Sequence, residues 1–365
     1  MRRSVLPVPA LQLTALVLLF ILVALAAACS KEPPPAPAAQ APEAKIDPAS
    51  LQAFAPLPDA VPAAGGPASA DVVTLGRMLF FEPRLSKSQK ISCNSCHDLA
   101  TYGVDNQPTS DGHKGQRGTR NSPTVYNAAA HFVQFWDGRA ADVEAQAKGP
   151  VLNPVEMAMP AESKVVAVLA SMPEYVDLFK KAYPKDAKPM TYDNMARAIG
   201  AFERNLMTPS RWDALLKGDQ SALTAEEKVG FQTFADSGCQ MCHNGALLGG
   251  SSYQRIGQAK AFPRATDTGR MNVTHADADK AVFKVPSLRN VEKTGPYFHD
   301  GGTATLEQAI EDMAEYQSGK TLTDQEVKQI ASYLKVLTGK IDPEYTKPPV
   351  LPKSTATTPK ADEGN

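Results

Sequence analysis

The pentapeptide CNSCH (93–97) returns in altered form as CQMCH (239–243). Each carries two thiols separated by two residues, with an imidazole directly behind the second. Such pairs serve structural zinc, redox dithiols, disulfides or the covalent attachment of haem. Four thiolates around zinc suit the count but leave His97 and His243 unexplained. A redox dithiol calls for a strand running into a helix, and neither motif has that context. Covalent haem uses every residue: Cys93 and Cys96, and again Cys239 and Cys242, add across vinyl groups. His97 and His243 then reach the two irons from the proximal side. The chain reads as a di-haem c-type cytochrome.

What occupies the sixth position of each iron decides the chemistry. Histidine there gives a low potential, methionine a higher one, and an empty place admits a reactant. The spare histidines are His113, His131, His275 and His299, and several of the eleven methionines compete with them. Spacing alone does not choose among these candidates.

The elements that must position these groups are helical. Apolar residues recur at helical spacing in 161–172, 192–206 and 323–337, and no alternating run is long enough for a sheet. Thr224 with Glu227, and Thr323 with Glu326, form candidate capping boxes. An internal repeat extends beyond the cysteines. PTVYN (123–127) matches PSLRN (286–290), and each proline is followed by an aromatic-type residue and Asp-Gly, in FWDG ending at Gly138 and FHDG ending at Gly301. The expected fold is all-α: two cytochrome c-like haem domains related by internal duplication, with long loops. Their bounds are 71–213 and 214–342.

The ends of the chain differ in kind. Residues 1–28 read as a signal peptide, with Arg2 and Arg3 before an apolar run and small residues before Cys29. The LAAAC ending resembles a lipoprotein box, which makes Cys29 a candidate lipid anchor and implies a membrane-tethered periplasmic protein. Residues 29–70 are rich in proline and alanine and read as a tether reaching at most ~3.1 Å per residue. Residues 343–365 read as a disordered tail. The net charge of −1 becomes −3 without the signal peptide. That excludes a large basic surface for nucleic acid and is compatible with a cationic redox partner.

From about Asp71 to Gly339 the chain resembles the bacterial di-haem cytochrome c peroxidases. The likeness rests on both haem motifs and on TSDGHKGQRG, RNSPTVYNAAAHFVQFWDGRA, GPVLNPVEM and PYFHDGGTATLEQAIEDMAEYQSGKTLTD. It implies that His113 is the sixth ligand of the first haem in the resting oxidised enzyme, in a Gly-rich loop whose flexibility suits a ligand that leaves. Met313 is then the sixth ligand of a second, high-potential haem that stores electrons. Glu156 is implied as the distal acid–base residue, Gln146 as its neighbouring pocket amide, and Trp136 as the ring between the haems. Asn121, Thr294 and Pro296 are implied to hold a calcium ion that couples the haems. His299 stands opposite Trp136 in the repeat with no role assigned.

The implied activity is reduction of hydrogen peroxide to water with electrons from a small c-type cytochrome or cupredoxin, in a homodimer. An electron enters at the Met313 haem, the calcium-linked loops shift, His113 leaves, and peroxide binds beside Glu156. Two rivals are a pure electron-transfer cytochrome and a tryptophan-oxidising relative. The latter group places tyrosine where this chain has Met313.

Overall fold

Among the described residues, nine α-helices of six residues or more carry the framework, and they fall around two hydrophobic cores. The structure, a computed structural model, describes residues 45–362. The expected signal peptide, Cys29 and the first part of the expected tether lie outside the described residues.

The first core is built by α1 (Ala70–Phe80), α2 (Val143–Leu152), α3 (Glu162–Ala170), α4 (Pro173–Ala182) and α5 (Tyr192–Glu203). Ser69 and Thr191 cap α1 and α5 through side-chain oxygens. Leu75, Leu79, Phe80, Ile199 and Phe202 are fully buried where α1 meets α5, each contributing about 1.5–3 kcal/mol. The helices touch at Gly76, where a Cβ would stand 1.8 Å from the Ala198 carbonyl oxygen.

The second core is built by α6 (Arg211–Leu216), α7 (Ala225–Asp236), α8 (Leu306–Asp312) and α9 (Asp324–Val336). The capping boxes Thr224/Glu227 and Thr323/Glu326 both form, at the starts of α7 and α9. Trp212, Phe231 and Tyr333 make an aromatic triangle with centroids 5.0–5.3 Å apart. Here the crossing glycine is Gly230, whose Cβ would lie 2.1 Å from the Gln329 carbonyl oxygen. The two cores therefore use the same device of a glycine where paired helices touch.

The repeated loop segments share a backbone. Asn127 and Asn290 both take left-handed conformations (φ 61° and 62°), as do Phe135 and Phe298 (64° and 69°). The bridge Gln134↔Ala140 is matched by Tyr297↔Thr303. The buried side-chain amides of Asn127 and Asn290 both donate to the Thr208 hydroxyl, at 2.8 and 2.9 Å. A buried ion pair anchors the second core: Arg289 meets Asp213 in two hydrogen bonds of 2.7 and 2.9 Å.

Three expectations need correction. Where no sheet was expected, the described residues contain one short antiparallel pair, β1 (Tyr253–Arg255) and β2 (Val282–Lys284). The tether is shorter than expected, because Ile46 and Phe54 are buried in the second core and Leu57 is buried as well. Phe54 packs on Trp212 at 5.4 Å, and the Leu57 amide donates to Asp213 at 2.7 Å. The tail expected to be disordered follows the first core instead. Arg84 donates to the Pro352 carbonyl, Gln89 to the Pro359 carbonyl, and Thr355 to the Ser171 carbonyl. Backbone carbonyls and a hydroxyl of the tail thus supply an order that its polar composition hides. Among the described residues, no helix is long and apolar enough to cross a membrane.

Candidate functional site

At the second cysteine motif, Cys239–Met241 form one 3-10 turn behind α7. The His243 amide donates to the Cys239 carbonyl at 2.9 Å, which sets the imidazole one turn beyond the first thiol. His243 Nδ1 lies 3.0 Å from the Leu248 carbonyl oxygen. With the proton on Nδ1, Nε2 is left as a metal ligand. Burial lowers the His243 pKa and keeps the ring neutral. Met313 begins a π-helical turn, Met313–Ser318, that prolongs α8, a distortion often found at functional sites. Cys239, Cys242, His243 and Met313 all line one mostly apolar cavity of about 280 Å³. Two free thiols, a neutral imidazole and a thioether around an apolar cavity fit a covalently attached haem.

The first motif is built alike. Cys93–Cys96 make one helical turn, and the His97 amide donates to the Cys93 carbonyl at 2.9 Å. Burial lowers the His97 pKa, partly offset by the carbonyls of Gly103 and Pro123, to which Nδ1 makes no well-aligned hydrogen bond. His113 is 6% exposed, and its buried Nδ1 also lacks a partner.

The His113 loop is a closed hairpin. Asp111 pairs with Arg117 across it at 2.7 Å, and Lys114 and Gly115 turn it with φ of 60° and 70°. It is seated directly on the Glu156 segment: the His113 amide donates to the carbonyls of Val155 (3.0 Å) and Glu156 (2.8 Å). Gly112 is required at this contact, since a Cβ there would stand 1.9 Å from the Val155 carbonyl oxygen. The half-buried Glu156 carboxylate accepts from Asn153 Nδ2 at 2.8 Å. Burial raises its pKa, while Arg139 and the Asn153 bond pull the other way. The carboxylate also acts electrostatically on the Cys96 thiol. His113, Glu156 and the first motif are therefore one neighbourhood.

The other expected residues sit as follows. Gln146 is half-buried on α2, and its side chain makes no hydrogen bond to another described residue. Trp136 lines the second cavity and donates from Nε1 to the Asn121 carbonyl at 2.9 Å. Asn121, Thr294 and Pro296 line that cavity too. The Asn121 amide nitrogen donates to the Gln107 carbonyl at 2.9 Å, which leaves its amide oxygen as an acceptor. His299 is buried, stacked on Phe283 at 4.3 Å. His275 is exposed. His131 is hydrogen-bonded to Lys284.

Reading the sequence missed Asn153 and Arg139, which bias the Glu156 carboxylate, and Thr208, which joins the two asparagine turns. Asn153, three residues from Glu156, could have been found from its Asx turn with Val155, a 3.0 Å bond. Thr208 carries no local signal.

Residues 70–221 match the family described as di-haem cytochrome c peroxidase. The cytochrome c551 peroxidase of Nitrosomonas europaea is 50% identical over 297 residues, covering 81% of this chain and 87% of that protein. The cytochrome c551 peroxidase of Pseudomonas aeruginosa is 48% identical over 335 residues, covering 90% and 95%. Among solved structures, a MauG-like protein associated with microbial copper homeostasis superposes with a TM-score of 0.71 at 27% identity, over 80% of this chain and 97% of that one. This chain belongs to the di-haem cytochrome c peroxidase family.

Proposed function

We propose that the protein is an exported di-haem peroxidase that reduces hydrogen peroxide to two waters, using two electrons and two protons. When bound, the two haems supply the redox chemistry. His97 and His113 would hold the first iron, and His243 and Met313 the second, where a thioether favours the ferrous state. The observation that carries the reading is the seating of His113 on Glu156. The ligand that has to leave and the carboxyl that has to act share one backbone contact, at 2.8 Å.

Glu156 takes a proton from incoming peroxide and returns it to the oxygen that departs as water. A buried carboxyl with a raised pKa suits both halves of that task. Asn153 holds one carboxylate oxygen, and Gln146 on α2 is the candidate for orienting the substrate. His113 moves with its hairpin, and the closed hairpin moves as a piece where a flexible loop was expected. Trp136 bridges the two units. Asn121, with the carbonyls of Thr294 and Pro296, forms the candidate calcium site.

The matched turns, bridges and crossing glycines support an origin of the two units by internal duplication. The donor is a small c-type cytochrome or cupredoxin, the protein pairs as a homodimer, and a lipid at Cys29 tethers it in the periplasm. Glu156→Gln tests the core of the reading. With ferrous cytochrome as donor, peroxide turnover should fall about 10²–10⁴-fold while the optical spectrum is retained. Undiminished turnover would refute the role.

A further inference from the structure

The cavity beside the second cysteine motif has a polar wall that none of the roles above uses. Lys284 is 5% exposed at the end of β2, and His131 lies 153 residues earlier in the chain. Both line the cavity, and Lys284 Nζ stands 2.6 Å from His131 Nδ1. An ammonium group only donates, so His131 Nδ1 accepts and the ring carries its proton on Nε2. That Nε2 is buried without a partner. Among the described residues, no carboxylate pairs with Lys284, and burial alone pulls its pKa down to about 7. Burial and the neighbouring Lys284 together hold His131 well below its ordinary value, and so neutral.

A buried ammonium whose only partner is a neutral ring is costly, and a second unsatisfied donor beside it adds to that cost. Nor can the pair relax away. The Lys284 amide is fixed to the Trp136 carbonyl at 2.8 Å, and Gly250 packs against the His131 ring. The remaining N–H donors of Lys284 and the His131 Nε2–H have no acceptor among the described residues, and both residues line an apolar cavity, which together make a site for a buried anion.

We propose that Lys284 and His131 form a carboxylate-docking pair for a propionate group of the second haem, supplying the cation and the second donor that a buried propionate requires. The inference rests on haem occupying this cavity, as the family assignment implies. It carries an electrostatic consequence: a fixed cation at the haem edge favours the reduced iron. Lys284 therefore adds to Met313 in keeping the potential of the second haem high.

The test is a spectroelectrochemical titration of the full holoprotein, after a haem count on the wild type. Lys284→Met should shift the second haem to lower potential and leave the first unchanged, and Lys284→Arg should restore most of the difference. Unchanged potentials in Lys284→Met with two haems bound would overturn the proposal. So would a wild-type potential that moves when excess acetate is added, because a free anion would then be the occupant. If Lys284→Met does not fold, resonance Raman of the wild type decides: a propionate bending band of the second haem must move in D₂O, and an immobile band would overturn the pairing. A wild-type haem count below two would overturn both this inference and its premise, whereas peroxide turnover enters none of these readouts.

Discussion

Trp136 and His299 meet edge to face, with ring centroids 6.4 Å apart and planes at 73°. They hold the same place in the two copies of the repeat, each thirteen residues after its proline. Asn121 binds both, donating its amide hydrogen to the His299 carbonyl at 2.8 Å and accepting from Trp136 Nε1 at 2.9 Å. With Phe283 stacked on His299, this is a continuous, rigid contact between the units. It lies against the residues proposed to hold calcium, which gives that ion a physical route for coupling the two sites.

The Arg139 guanidinium sits over the Phe135 ring at 3.4 Å and favours the charged form of Glu156. In the proposed role Glu156 acts as a base when ionised, so the acid limb of kcat/KM should follow its pKa. Arg139→Gln removes the cation, raises that pKa further, and should move the limb to higher pH. A pH profile of peroxide turnover checks this. The plateau at high pH should change little.

Gly112→Ala should act on the ligand and leave the carboxylate in place. The added methyl meets the Val155 carbonyl and pries the hairpin from the Glu156 segment. The oxidised protein should then show a high-spin first haem at rest, read by electron paramagnetic resonance, and should react with peroxide before any reduction.

Asp213→Ala leaves Arg289 buried without its carboxylate, at a cost of about 3–5 kcal/mol by denaturant unfolding. Burial pushes the Asp213 pKa up, but the hydrogen bonds and charge of Arg289 overcome it, and the net shift is downward. A depressed carboxyl pKa stabilises the fold above the unfolded value. That contribution disappears as pH falls through the folded value. The wild type should therefore lose its advantage over the variant in acid, below about pH 4.

Much of the architecture was legible because its signals are local. Thr224 with Glu227 and Thr323 with Glu326 announce helix starts within four residues, and CNSCH and CQMCH each gather two thiols and an imidazole within five. The left-handed turns at Asn127 and Asn290 could be matched because the repeat preserves their flanking residues. What escaped notice was long-range or dilute. Ile46 and Phe54 are single apolar residues in a Pro/Ala background, yet they pack into the second core. The tail is held through the carbonyls of Pro352 and Pro359 and the hydroxyls of Ser354, Thr355 and Thr358, none of which carries an apolar pattern. Lys284 and His131 meet across 153 residues, and no local pattern marks either one.

The central claim is that one iron can be opened and the other cannot. The direct measurement adds one electron per chain, with calcium present, and follows the spin states optically and by electron paramagnetic resonance before peroxide is added. The account predicts that His113 ligation is lost on half-reduction, that a high-spin haem appears, and that peroxide consumes it, while the Met313 site stays six-coordinate. Two haems that remain six-coordinate at every redox state, and ignore peroxide, would contradict it and leave an electron-transfer cytochrome.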